Sequence, residues 1–161
     1  MTTPPASKAN FVSIEEAQAF VGQEVGVTPW LEITQARVNQ FAEATGDFQF
    51  IHMDEARAKA ETPFGGTIAH GFLTLSLLSY FGAQTTTIKI KECSMAINYG
   101  LDTVRFLNPV KVGSRIRARF SLVSAVEKSP GHYLLKHKVV VEIEGESKPA
   151  MIAESLGMAV R

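Results

Sequence analysis

The sequence predicts an α+β fold in which a curved antiparallel sheet of about five strands wraps one long central helix. Three features point there. Residues 68–81 are apolar at helical spacing on nearly every side. The second half of the chain alternates polar and apolar residues with a period of two. The connections between the alternating runs are short, which favours antiparallel neighbours over crossovers.

The helix is expected to open at Gly66-Thr67 and to run to about Phe81. Ile68, Phe72, Leu75 and Leu78 fit a 3.6-residue period, and Leu73, Leu77 and Tyr80 cover much of the remaining circumference. A helix apolar all round is surrounded by protein. It is too short for a membrane span, which needs about 20 residues, and it carries His70, Thr74, Ser76 and Ser79.

Among the strands, Arg115, Arg117, Arg119 and Ser121 alternate with Ile116, Ala118, Phe120 and Leu122. Tyr133, Leu135, His137, Val139, Val141 and Ile143 share one side of the next strand, with a turn at Lys128-Ser-Pro-Gly131 between the two. Ala150 to Val160 follows. The strand from Ile97 to Leu107 slips in phase between Leu101 and Val104, the mark of a bulge.

In the first half, Ser13-Ile-Glu-Glu16 is a capping box opening a short helix to about Val21, with Gly22 as its stop. Val25 to Ile33 suits an interrupted strand, and Thr34 can cap a helix from Gln35 to about Thr45. Residues 47–66 look irregular, with one helical turn at 54–59.

Residues 1–10 read as a flexible arm and 11–161 as a single domain. Lysine plus arginine equal aspartate plus glutamate at 16 each. That balance gives no reason to expect nucleic acid or an anionic membrane as partner. A lone Cys93 excludes an intrachain disulfide and fits a reducing, cytoplasmic setting.

Asp47 and His52 stand where the chain leaves a helix at Gly46, so a loop can fold both toward one point. A carboxylate beside an imidazole is a common acid–base pair. A helix-terminal Asp and a surface His fit the spacing as well. His70-Gly71 falls in the first turn of the apolar helix, where free N–H groups can hold an oxyanion and a glycine lets a substrate approach. Gly71 could equally admit a packed backbone. Ser76 and Ser79 lack a nucleophile elbow, and no metal-ligand spacing or Gly-rich phosphate loop occurs. The row of Arg115, Arg117 and Arg119 reads as a solvated strand face, with coenzyme A phosphate contact the lesser alternative.

Two blocks together are more specific. Phe41-Ala-Glu-Ala-Thr-Gly-Asp-Phe-Gln-Phe-Ile-His-Met-Asp54, followed by Phe64-Gly-Gly-Thr-Ile-Ala-His-Gly-Phe-Leu73, resembles the hydratase signature of the MaoC-like family. Asn98-Tyr-Gly-Leu-Asp-Thr-Val-Arg-Phe-Leu-Asn-Pro-Val110 is similar to its nodulation-protein-N-like branch. The likeness is good from Trp30 to Val123.

The resemblance implies a hot-dog fold and (R)-specific hydration of trans-2-enoyl-CoA, or of an acyl carrier thioester. The substrate is itself the coenzyme A thioester; no further cofactor and no metal are implied. Residue by residue, Asp47 and His52 match the catalytic dyad and Gly71 the N–H that holds the thioester carbonyl. Ser79 matches a serine supporting the dyad. Gln49-Phe50 departs from the Asn-Pro of many members; the Gln49 amide can still support the dyad. Phe48, Phe50, Phe64 and Phe72 are the expected walls of an acyl tunnel. A homodimer is expected, since a single unit leaves sheet edges open and Met95-Ala-Ile-Asn-Tyr99 is too apolar for an ordinary exposed edge. A hot-dog acyl-thioesterase and a non-catalytic acyl-thioester-binding protein are the alternative readings.

Overall fold

The period-two half of the chain forms the sheet. In the computed structural model, which describes residues 10–85 and 88–161, Ile116, Ala118, Phe120 and Leu122 are all buried. They lie on one face of β6 (Arg115–Ser129). β6 pairs antiparallel with β7 (His132–Ile143), placing Ala118 opposite Val141 and Phe120 opposite Val139. Pro130-Gly131 makes the turn, and Gly131 takes a left-handed φ of 75°. β8 (Met151–Val160) lies on the other side of β7, and β5 (Met95–Phe106) on the far side of β8. β2 (Glu24–Val27) and β3 (Leu31–Glu32), the two parts of the interrupted strand, both pair with β6. The order is β2-β6-β7-β8-β5. β5 changes register between Leu101 and Thr103, where the phase of its sequence slips, and also between Asn98 and Gly100.

The central helix is α5 (Gly71–Ala83). Its Leu73, Leu77 and Phe81 pack on Ile116, Ala118, Phe120, Val139 and Val141 in the main core. It begins later than the Gly66-Thr67 opening expected from sequence, because the preceding backbone is already paired elsewhere. Ile68 N–H donates to the Ile51 carbonyl, Ala69 N–H to the Val110 carbonyl, and Val112 N–H to the Thr67 carbonyl. Nor is α5 enclosed on all sides. Phe72 is 67% and Tyr80 37% exposed, so one face remains open in the single chain.

A short parallel pair, β1 (Asn10–Val12) with β4 (Ile88–Ile90), closes the far end over a second core of Ala17, Ile88, Ile90, Leu122 and Leu135. Asn10 therefore belongs to a strand rather than to the expected arm, and the rest of that arm lies outside the described residues. α1 (Ile14–Gln18) carries the capping box of Ser13 and Glu16 and stops sooner than expected, with single-turn bonds carrying the chain on to Gly22. No described helix is long and apolar enough to cross a membrane.

The arginine row is fully engaged. Arg115 pairs with Glu144, Arg117 and Arg119 share Glu142, and Arg119 also meets Glu24. The row is thus an ion-paired strand face.

His137 sits on the helix-facing side of β7, edge-on to Phe120, with its Nε2 buried and without a partner. Burial pushes its imidazole down to about 4. In the unfolded chain the ring titrates near the ordinary ~6.5. A depressed folded value means that its contribution is complete above that ordinary range. It is lost as pH falls toward about 4, because the unfolded state then binds the extra proton. Urea unfolding at stepped pH should show stability falling through this window, and His137→Leu should flatten the slope. An equal slope in the variant would contradict this.

Candidate active site

Three elements meet at the site. α2 (Gln35–Thr45) opens on the Thr34 cap and ends at Gly46, whose φ of 77° is the left-handed geometry that favours glycine. Asp47 is thereby turned out of the helix. The next four-residue helix, α3 (Phe50–Met53), replaces the irregular path expected there and points His52 inward, to 6% exposure. Asp54 then caps α4 (Glu55–Glu61), which extends the single turn expected at 54–59.

His52 Nδ1 lies 2.7 Å from the Ile68 carbonyl oxygen. A carbonyl only accepts, so Nδ1 carries the proton and Nε2 keeps its lone pair. Burial lowers the affinity of His52 for a second proton; the bond to Ile68 opposes this, His70 adds to it, and Asp47 again opposes it. The ring is thus kept in its neutral form.

His70 is the residue that sequence reasoning passed over in favour of its neighbour Gly71. It occupies the N-cap position of α5 at 2% exposure. Its Nε2–H donates to the Asp47 main-chain oxygen at 3.0 Å and stands 4.0 Å from the Asp47 carboxylate. Its ring stacks on His52 with centroids 3.8 Å apart and meets Phe41 at 5.0 Å. The signal available in the sequence was a polar, titratable side chain inside an otherwise apolar run, which must find a partner if buried.

Gly71 is the first residue of α5, and His70 provides no side-chain cap. The first main-chain bonds of the helix are donated by Leu73 and Thr74 to the His70 carbonyl. The Gly71 N–H has no acceptor among the described residues and lies at the positive end of the helix. A Cβ at Gly71 would stand 3.2 Å from the Phe106 ring, so the neighbour that comes close to the glycine is an aromatic side chain and not a backbone. Gly71 and His52 line one cleft of about 360 Å³, walled by Ile51, Ile68, Phe106 and Val110, with Thr74 and Asn108 as further polar groups.

The remaining expected residues are placed differently. Asp47 is exposed and accepts a hydrogen bond from the Gln49 main-chain N–H at 3.3 Å, whereas the Gln49 side chain faces outward. Phe48 and Phe72 are exposed, with Phe72 against Phe106, and Phe50 lies beneath the Arg57 guanidinium. Phe64 is half-buried. None of the four lines the cleft. Ser79 is eight residues beyond Gly71, about 12 Å along the helix axis. It accepts a hydrogen bond from Asn98 at 3.1 Å, in a separate recess between α5 and β5. Within one chain, Ser79 is not brought to Asp47 and His52.

One donor atom each from Asp47, His52 and His70 lie within 4.8 Å of one another, a spacing that could hold a cation. The chemistry of the donors does not favour one. His70 Nε2 is committed to the Asp47 carbonyl and its Nδ1 is buried. Only one carboxylate and one imidazole nitrogen remain, where a structural zinc site uses about four ligands. What remains is a neutral imidazole and a carboxylate beside an uncapped helix N-terminus, an arrangement suited to moving a proton.

Comparison with known proteins places the chain in a family. A family model described as a MaoC like domain matches residues 16–143. The chain is 47% identical over 148 residues to Nodulation protein N of Rhizobium meliloti, covering 92% of this chain and 91% of that one. It is 49% identical over 146 residues to 3-hydroxyacyl-thioester dehydratase Z of Mycobacterium tuberculosis, covering 91% and 95%. Among solved structures, the (R)-hydratase from A. caviae involved in PHA biosynthesis superposes with a TM-score of 0.68 at 27% identity, covering 85% of this chain and 94% of that one. With its hot-dog fold and this match over most of its length, the chain is an enzyme of the MaoC-like dehydratase family.

Proposed function

We propose that the protein adds water to trans-2-enoyl thioesters of coenzyme A or an acyl carrier, giving (R)-3-hydroxyacyl thioesters, or runs the reverse dehydration. The observation that carries this reading is the tautomer of His52: Nδ1–H on the Ile68 carbonyl, Nε2 free, beside Asp47 and the open N-terminus of α5. The likeness to a dehydratase and to an (R)-hydratase supports the reaction class and its stereochemistry.

In the hydration direction the thioester enters the cleft with its carbonyl oxygen on the Gly71 N–H. Asp47 and His52 hold one water, and the dyad takes a proton as the water oxygen bonds to Cβ. The π electrons move onto the thioester oxygen as an enolate, which the N–H and helix dipole stabilise. The enolate then collapses and the dyad returns a proton to Cα. The two groups form one proton-sharing unit.

Incubation with crotonyl-CoA tests this: enoyl absorbance should fall without release of free thiol. Thiol release would indicate a thioesterase, and binding without either change a non-catalytic protein. Because the affinity of His52 for a proton is lowered, the acid limb of kcat/KM should fall below the ordinary imidazole range near ~6.5. An acid limb at or above that value would contradict the assignment of the neutral ring.

A homodimer through β5 belongs to the same reading. Among the described residues β5 pairs only with β8, and Met95, Ile97, Tyr99 and Leu101 are each at least 41% exposed. A 12-residue edge strand of this character would aggregate unless covered. A second copy related by a two-fold axis would cover it. Light scattering should give about twice the 17.5 kDa chain mass, and Ile97→Lys should shift it toward the single-chain value. A fully active single-chain species would remove the dimer and leave the dyad intact.

A further inference from the structure

Both members of the dyad sit on short backbone segments with little structure of their own. Asp47 follows a helix C-cap, and His52 belongs to a four-residue helix, too short to hold itself. Each has its main-chain carbonyl caught by a side chain from another element. His70 donates to the Asp47 carbonyl at 3.0 Å. Gln35, the first residue of α2, donates through Nε2 to the His52 carbonyl at 2.8 Å and to Asn39 Oδ1 at 2.8 Å. Gln35 Oε1 accepts from the hydroxyl of Thr67, itself 5% exposed, at 2.7 Å. The amide of Gln35 is thereby fixed at both ends. It ties the His52 turn to the segment whose Ile68 carbonyl sets the tautomer of His52.

We propose that Gln35 and His70 are paired positioning residues, one for each member of the dyad: Gln35 holds His52 and His70 holds Asp47. Neither side chain lines the cleft. Each acts through the backbone of its partner, fixing where the carboxylate and the Nε2 lone pair point. Displacing either group by a fraction of an ångström should weaken proton transfer more than binding. This rests on the hydratase reading above.

Steady-state hydration of crotonyl-CoA by the full chain tests the pair. Gln35→Leu and His70→Phe should each lower kcat at least about tenfold while KM changes less than about twofold. His70→Gln, whose amide can reach the Asp47 carbonyl, should recover most of the loss seen in His70→Phe. In an Asp47→Asn background His70→Phe should cost less than about twofold, because the group it positions is already disabled. Values of kcat within about twofold of wild type in both single variants would overturn the proposal. So would a loss of unchanged size in the Asp47→Asn background. If Gln35→Leu fails to fold, Thr67→Val, which frees the Gln35 amide at one end, carries the same comparison; if His70→Phe fails, His70→Leu does, with His70→Gln still the rescuing variant. The ring nitrogen shifts of His52, read by NMR without substrate, separate the two ideas. Gln35→Leu should mix the Nδ1-protonated tautomer with the other. Unchanged shifts would sink the role of Gln35 even if turnover is present. An inactive wild type whose shifts respond would sink the hydratase reading alone.

Discussion

Asp47→Asn and His52→Ala should each lower hydratase turnover at least about 10²-fold, the usual scale for an acid–base group. The reason is specific to each residue. Asn keeps the shape of the carboxylate but cannot accept a proton. Ala removes the one unprotonated ring nitrogen that faces the site. Stability should change modestly in Asp47→Asn, because the side chain is half exposed and its one hydrogen bond is long, at 3.3 Å. His52→Ala should cost more, since it opens a cavity beside His70 and Ile68 and leaves the Ile68 carbonyl without its imidazole donor. The double variant should lose far less than the product of the single losses, because the pair acts as a unit. Turnover with crotonyl-CoA, measured beside urea midpoints, checks all of this. Near-wild-type turnover in either single variant would refute the mechanism.

Gly71→Pro should lower kcat by about 10²-fold more than Gly71→Ala, the usual effect of removing one oxyanion donor. Gly71 is the first residue of α5, where proline is tolerated because its missing N–H has no partner within the helix. His70, with φ of −60° and ψ of 137°, already has the extended backbone required before proline. Both substitutions introduce a Cβ that would stand 3.2 Å from the Phe106 ring, so both crowd that ring. Only proline also removes the N–H, with its Cδ in that place. The two variants thus share the Cβ crowding and differ at the donor position. Equal kcat values in the two would show that the Gly71 N–H does not carry the enolate charge.

The elements whose signal is local were legible in the sequence. The alternation of β6 and β7, the Ser13–Glu16 capping box, the Gly46 stop and the phase slip near Leu101 all reappear, because each depends on periodicity or on a few adjacent residues. The signature blocks named the family and, with it, the neighbourhood of Asp47, His52 and Gly71. Properties that arise from pairing between distant segments were not legible. The start of α5 moved to Gly71 because Ile51, Val110 and Val112 take up the backbone groups of residues 67–69. The aromatic residues expected around a tunnel lie off the cleft, with Phe48 and Phe72 exposed, Phe50 beneath Arg57 and Phe72 against Phe106. Ser79 sits about two turns of helix beyond Gly71, on the face that the single chain leaves open. The sequence by itself determined the family and the strand pattern, and pointed to Asp47 and His52 as candidates. Only the tertiary structure decided which nitrogen of His52 meets the Ile68 carbonyl and that the side chains of His70 and Gln35 reach the main-chain carbonyls of Asp47 and His52. Those depend on carbonyls of Ile68, Asp47 and His52 meeting donors up to 23 residues away, and such contacts leave no period in a sequence.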